Sequence, residues 1–341
     1  MPTDDTPVVH KRRPRYPGKN PRRFSEKYKE LNPERYAGDV QKIVASGKTP
    51  AGMHRAIMVD EVVQALAPEP GDVAVDGTLG FGGHARAILD RIQPGGRLIG
   101  LDVDPIELPR TEARLRAAGF GADRFTARRS NFAGLPHVLA EEGLAGADLI
   151  LADLGVSSMQ LDDPARGFTY KAPGPLDMRM NPARGEPASL LLTRLSEDKL
   201  AQLLEEHADE PASRKIARAL KAQPIDTTHA LARIVRKAAG AADAEKAVRR
   251  TFQALRIAVN DEFSALDALL RHLPECLAPG GRVAILTFHS GEDRRVKKAF
   301  EAGARDSLYH AIAAEVVRPS AREVRANPRA GSAKLRWAVR V

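Results

Sequence analysis

Between residues 55 and 67 the apolar side chains Ile57, Val62, Val63 and Leu66 recur at helical spacing, and Pro68, Pro70 and Gly71 close the segment. Short apolar runs then alternate with amphipathic stretches. Strands are predicted at 73–75, 97–101, near Phe125 and at 149–152, and helices at 83–91, 105–118 and 135–141. A βαβα rhythm of this kind predicts a parallel, doubly wound sheet. The rhythm stops after Asp153. Residues 154–187 are rich in Pro and Gly and read as loop, and a loop of that length inside a domain is usually functional. From 188 to 239 the pattern is helical only, with Leu190, Leu195, Leu200, Leu203, Ile216, Leu220, Leu231 and Ile234 as candidate core positions. This reads as an inserted helical subdomain. A helix over 249–273, the turn Ala278-Pro279-Gly280-Gly281, a strand at 283–288 and a last strand at 335–341 complete the sheet. No internal repeat at a period of about 20–50 residues is present.

Four segments follow. Residues 1–52 form a basic arm, 53–153 the first part of the sheet domain, 154–248 the loop and helical insertion, and 249–341 the second part with a basic C-terminus. The arm holds five prolines before residue 22 and nine basic residues between Lys11 and Lys29, a composition expected to remain flexible. A chain of 341 residues is long enough for two domains with real cores. The single cysteine, Cys276, rules out an intrachain disulfide framework and a multi-cysteine zinc cluster. Without an apolar run near 18 residues, or an apolar stretch behind the basic start, the expectation is a soluble cytoplasmic protein.

Charge adds direction. The net charge is +9, and it is uneven: residues 1–52 carry 12 Lys and Arg against 6 Asp and Glu, and residues 294–341 carry 12 against 4. Both ends are basic around an acidic middle, as suits arms that track phosphates beside a body that does chemistry. Solvated basic tails would have the same composition. Aromatics at 5% leave few platforms for serial base stacking.

Open α/β sheets bind ligands at the carboxyl ends of their strands. The first such loop runs from Asp76 through Gly77, Gly80, Gly82 and Gly83 to His84, and its glycines allow close backbone approach to a ligand or simply a tight turn. The second strand ends at Asp102, where a carboxylate can accept both ribose hydroxyls of an adenosine. Nicotinamide and S-adenosyl-L-methionine sites share these features. With Asp76 and Asp153 flanking the loop, a cationic cofactor is favoured over a pyrophosphate. Asp153-Leu154-Gly155-Val156-Ser157-Ser158 and Gln160 place groups able to orient a base edge directly after the fourth strand, although the same residues also make a capped turn. The stretch Gly174 to Met180 mixes apolar and charged residues and also reads as satellite packing. His289 with Glu292 and Asp293 reads as a capped helix start more readily than as a metal site. His84 reads equally as a helix-terminal side chain or a cofactor contact. No metal is expected.

These motifs resemble one family, the bacterial 16S ribosomal RNA cytosine-N4 methyltransferases known as RsmH or MraW. The resemblance rests on Asp76 to His84, Asp153 to Ser158 continuing through Gln160-Leu161-Asp162-Asp163, Arg166-Gly167-Phe168, and Gly174 to Met180. Thr251 to Glu262, Phe288-His289-Ser290 and Asn327-Pro328-Arg329 extend it, so that it spans about 53–341. It implies a class I S-adenosyl-L-methionine-dependent methyltransferase, a Rossmann-like doubly wound sheet with an inserted helical subdomain. The implied substrate is a cytidine in the decoding centre of the small ribosomal subunit, with 16S rRNA as partner and a homodimer among the allowed assemblies. Cofactor contacts carried over fall on Gly82, Gly83, His84, Asp102, Phe132, Asp153 and Gln160, to which the acidic loop adds Asp76. Departures occur at Gly291, Gly331 and Ala208-Asp209-Glu210, and in a shortened stretch between Phe300 and Arg318. The basic arm lies outside the minimal family pattern.

The implied chemistry is transfer to the exocyclic N4 of cytosine, with Asp153, Ser157 and Ser158 as the groups that would accept its hydrogens and orient it. Methylation at carbon 5 would need a thiolate, and Cys276 sits far from the glycine loop, in a packed helix-end context. Two other readings share the sequence features: a nicotinamide-dependent oxidoreductase, and a non-catalytic RNA-binding assembly factor. Methylation of another RNA base or of a protein substrate is a further variant.

Overall fold

The computed structural model describes residues 56–341, so the basic arm lies outside the described residues. Seven strands form one sheet: β1 (Val73–Asp76), β2 (Arg97–Asp102), β3 (Phe125–Arg129), β4 (Ala147–Asp153), β5 (Leu277–Thr287), β6 (Tyr309–Ile312) and β7 (Lys334–Arg340). Their order is β3-β2-β1-β4-β5-β7-β6. Strands β1 to β5 run parallel, and β7 enters antiparallel between β5 and β6. This is a Rossmann-like, doubly wound class I fold, with the order reversing direction at β1 and β4, where a ligand crevice is expected.

Strand alternation builds two cores. Val75, Ile99, Ile150, Val283 and Ile285 face one way, against helices α4 (Leu135–Glu141), α11 (Glu262–Cys276) and α12 (Ser290–Arg305). Their neighbours Ala74, Leu98, Leu149, Leu151, Ala284 and Leu286 face the other way, against α1 (Val59–Leu66), α2 (Gly83–Ile92) and α3 (Glu107–Ala117). The period of two therefore assigns each strand residue to one layer. Strands buried on both faces explain the short, nearly continuous apolar runs of the sequence.

A third core is purely helical. Helices α6 (Ala188–Arg194), α7 (Glu197–Ala208), α8 (Ser213–Lys221), α9 (Thr228–Ala239) and α10 (Ala244–Asn260) bury Leu191, Leu200, Leu204, Ile216, Leu231, Val235 and Leu255. Leu176 and Met178 join them, so the apolar positions of the 174–180 loop are packing residues of this core.

Several details differ from the sequence expectations. The single helix over 249–273 is two, α10 and α11, separated by Asp261 in the left-handed region at φ 51°. Because α10 packs through Ala247, Val248, Phe252 and Leu255 into the helical core, the insertion runs to Asn260 rather than ending at 248. Leu190 is 55% exposed and is not a core residue, since the buried stripe of α6 passes through Ala188, Leu191 and Leu192. The 154–187 loop contains a short helix, α5 (Ser158–Asp162), and a 3-10 turn at Pro164–Arg166. The Pro-Gly-Gly turn bulges out of β5, whose pairing jumps from Leu277 opposite Ala147 to Arg282 opposite Leu149. Strand β6 escaped detection. Helix α13 (Ala321–Ala326) and a 3-10 turn at Pro328–Ser332 lead into β7.

Candidate functional site

The first loop is fixed to both neighbouring strands. The amide of Gly77 donates to Leu151 O at 2.8 Å, and Gly80 donates to Asp102 Oδ2 at 2.9 Å. Thr78 Oγ1 accepts from the Asp153 amide at 2.6 Å, while the Thr78 amide donates to Asp76 Oδ1 at 3.1 Å. Asp76, Asp102 and Asp153 are thereby gathered at the carboxyl ends of β1, β2 and β4. Gly82, at φ 82°, precedes α2, and a side chain there would meet Thr111 at 2.9 Å. That position needs glycine for both reasons.

His84 lies in the first turn of α2 and is 5% exposed. Its Nε2 lies 3.5 Å from Asp153 Oδ2, yet neither ring nitrogen has a hydrogen-bond partner, nor does Asp153 Oδ1. Burial works against a charge on His84, but Asp153, Asp76 and Glu323 outweigh it, and its proton affinity is raised. Asp76 is pushed up to about 6, chiefly by burial, with Asp153 and Asp102 adding to the rise against His84 and the Thr78 amide. Burial likewise raises Asp102, against the two backbone amides it accepts. The site is a cluster of carboxylates with unused buried hydrogen-bonding capacity.

The remaining predicted residues distribute around it. Phe132 follows β3 and lies 3.2 Å from where a Gly77 side chain would be. Ser157 caps α5 in a reciprocal box: its Oγ accepts from the Gln160 amide at 3.2 Å, and its own amide donates to Gln160 Oε1 at 2.9 Å. Ser158 begins that helix. Gln160 then donates through Nε2 to Asp104 Oδ2 at 2.8 Å.

Asp104 carries the connection that the sequence did not reveal. It is fully buried and also accepts from Arg166 Nη1 at 2.8 Å and from the Ile106 amide at 2.9 Å. Arg166 reaches on through Nη2 to Met180 O at 2.7 Å. Asn260 closes the circuit, taking the Met180 amide at 2.7 Å and donating to Met178 O at 2.8 Å. Cofactor-side strand, post-β4 helix and helical insertion are thus one hydrogen-bonded unit. His289, Glu292 and Arg256 form a separate buried knot: His289 and Glu292 box the start of α12, and Arg256 forks onto Glu262 at 2.8 Å to each oxygen. Among the described residues no cluster of His, Cys, Asp and Glu is arranged to hold a metal.

A sequence model of the MraW methylase family matches residues 51–341, almost the whole chain. The chain belongs to the MraW methylase family. Members of this family are S-adenosyl-L-methionine-dependent. A relative from Lachnoclostridium phytofermentans, named ribosomal RNA small subunit methyltransferase H 1, is 47% identical over 100% of this chain and 96% of its own. One from Alkaliphilus metalliredigens, ribosomal RNA small subunit methyltransferase H 2, is 48% identical over 99% of each. The basic arm thus lies outside the family model but inside both alignments. Among solved structures, an rRNA methylase from Streptococcus thermophilus superposes over 83% of this chain and 93% of its own, with a TM-score of 0.38 at 11% identity. That likeness is too distant to add to the assignment.

For an MraW-family methylase the donor set fits the cofactor. A sulfonium and an α-amino group are cationic, and the strand ends offer three carboxylates together with unpartnered polar atoms on His84 and Asp153. The nicotinamide alternative fails on both family and charge. Among the described residues no helix is long and apolar enough to cross a membrane.

Proposed function

We propose that the chain methylates the exocyclic N4 amine of a cytidine in the decoding centre of 16S ribosomal RNA, using S-adenosyl-L-methionine. The names of the full-length relatives support the ribosomal small subunit as the source of substrate. The observation that carries the choice of an amine is Asp153. It stands at the end of β4 with one oxygen unpartnered, its amide held by Thr78 and His84 behind it.

The cofactor, when bound, supplies an electrophilic methyl group. Gly82, Gly83 and His84 would hold it along the loop, with Asp102 taking the ribose hydroxyls, Asp76 and Asp153 offsetting its positive charge, and Phe132 and Gln160 closing the sides. The chain's remaining task is to present the nucleophile. The N4 lone pair is delocalised into the pyrimidine, so a carboxylate that accepts an amino hydrogen relocalises it and fixes its direction. Asp153 takes that role in this reading. Ser157 accepts from Gln160 and keeps its hydroxyl proton to donate to the base edge, beside Ser158. The amine gains the methyl and gives one proton to water.

Replacing Asp153 by Ala tests this reading. Methyl incorporation into small subunits lacking the modification should fall by about 100-fold or more, with circular dichroism unchanged. Near-normal turnover, or mass spectrometry placing the methyl on another atom, would refute it.

A further inference from the structure

We propose that the exposed arginines Arg318, Arg322 and Arg325 form a phosphate-binding strip that seats the RNA backbone beside the crevice. The proposal rests on the reading of the chain as an RNA methyltransferase and adds where that RNA is gripped. The observation is their concentration. Exposed arginines elsewhere among the described residues are engaged, as Arg194 is with Glu186 and Arg294 with Asp209 at 3.3 Å, or stand singly along the chain without a side-chain partner, as Arg129, Arg184, Arg233 and Arg271 do. Arg318, Arg322 and Arg325 are exposed and have no hydrogen bond or ion pair among the described residues. The nearest acid on their own helix, Glu323, is committed: its Oε1 accepts the Met58 amide at 2.8 Å.

Position completes the argument. Glu323 ties α13 to the segment whose Ala56 lies against Gly83, and its charge is felt by His84, so the helix borders the cofactor loop. Beyond α13, Arg329 forks onto Asp162 at 2.5 and 3.3 Å, at the end of the short helix that follows the Asp153 loop. On the other side, Val317 exchanges backbone hydrogen bonds with Leu335 at 2.9 and 3.1 Å, which fixes the backbone next to Arg318. Arg322 and Arg325 are three residues apart and share a helix face. The three arginines therefore stand on an anchored segment that borders the cofactor loop, with guanidinium forks that match phosphate oxygens. Arg322 and Arg325 are like charges one helical turn apart, and a polyanion relieves their repulsion.

The test is the full chain carrying Arg318→Gln, Arg322→Gln and Arg325→Gln together, titrated against unmodified small subunits and against 16S RNA alone over a range of potassium chloride. RNA affinity should fall at least tenfold. The slope of log affinity against log salt should shrink by about 2 for three phosphate contacts on single-stranded RNA. Thermal stabilisation by S-adenosyl-L-methionine should match the unsubstituted protein, and the triple Arg→Lys variant should recover most of the binding. An unchanged RNA affinity and salt slope would overturn the strip. If the unsubstituted protein binds RNA through the strip but methylates nothing, the methyl-transfer reading falls and the strip stands.

Discussion

Asp104→Ala should be among the most damaging single changes near the crevice without touching either predicted ligand. Asp104 is 0% exposed, and its carboxylate takes Gln160 and Arg166 at 2.8 Å each and the Ile106 amide at 2.9 Å. Removing it leaves the Arg166 guanidinium, whose side chain is 11% exposed, without its counter-charge. Breaking a buried pair from one side costs about 3–5 kcal/mol. At about 2–4 °C per kcal/mol for a domain of this general size, the melting temperature should fall by roughly 6–20 °C. Arg166→Met should cost less, about 1–3 kcal/mol, because the carboxylate keeps its other donors. The double variant should lose less than the two separate losses combined, by at least about 1.5 kcal/mol. Urea denaturation followed by circular dichroism measures all four proteins. An Asp104→Ala loss under about 1 kcal/mol, or strict additivity with Arg166→Met, would refute the view that this circuit couples sheet and insertion.

Three further outcomes follow from the same structure. Asp76 has its folded pKa pushed up to about 6 by burial, so its contribution to stability is present below the unfolded value of 3.8 and lost as pH rises through 6. The shift corresponds to about 3 kcal/mol, so Asp76→Asn, which keeps the oxygen that accepts from Thr78, should stabilise the free protein at pH 8 and flatten its stability between pH 4 and 6, as calorimetry would record. Gly167→Ala should destabilise by about 2–5 kcal/mol, since φ is 77° and a side chain would lie 2.5 Å from Pro175 O, whereas Gly185→Ala, at φ 70° in open space, should cost only about 1–2 kcal/mol in the same melts. Burial pushes the Cys276 thiol up to about 11, so a thiol reagent should react only on unfolding, and Cys276→Ala should retain methyl transfer.

What the sequence disclosed follows from the range of each interaction. The alternating strands and helices were legible because the sheet buries both faces, and period-two burial is a local signal. The break at Asp261 was not, because an aspartate in the left-handed region takes the place of the glycine or proline that usually announces a helix end. Strand β6 is as short as β1, but it buries only Tyr309 and so carries no continuous apolar run. Carboxylates at strand ends stood out because topology alone directs attention there. Asp104 lies only two residues beyond Asp102, yet its partners Gln160 and Arg166 are 56 and 62 residues away, and no local pattern encodes such a meeting. Ser157 and Gln160 were visible as a pair of polar residues, while the capping box that joins them became clear only with the backbone path.

The gathering of Asp76, Asp102 and Asp153 has a cost that a cationic ligand would offset. Each of the first two is raised by burial, and neighbouring carboxylates add to the rise. A loop needed merely for chain reversal would be more stable with neutral residues at these strand ends, since burying like charges together is unfavourable. His84 relieves part of the repulsion from one side, but its Nε2 stands 3.5 Å from Asp153 without a directed hydrogen bond, and the other Asp153 oxygen is unpartnered. A cation bound across the three strand tips would supply the rest. Bound there, the charged methyl donor would be favoured over its neutral demethylated form. The affinity difference between the two should narrow as pH falls through 6 and Asp76 takes up its proton.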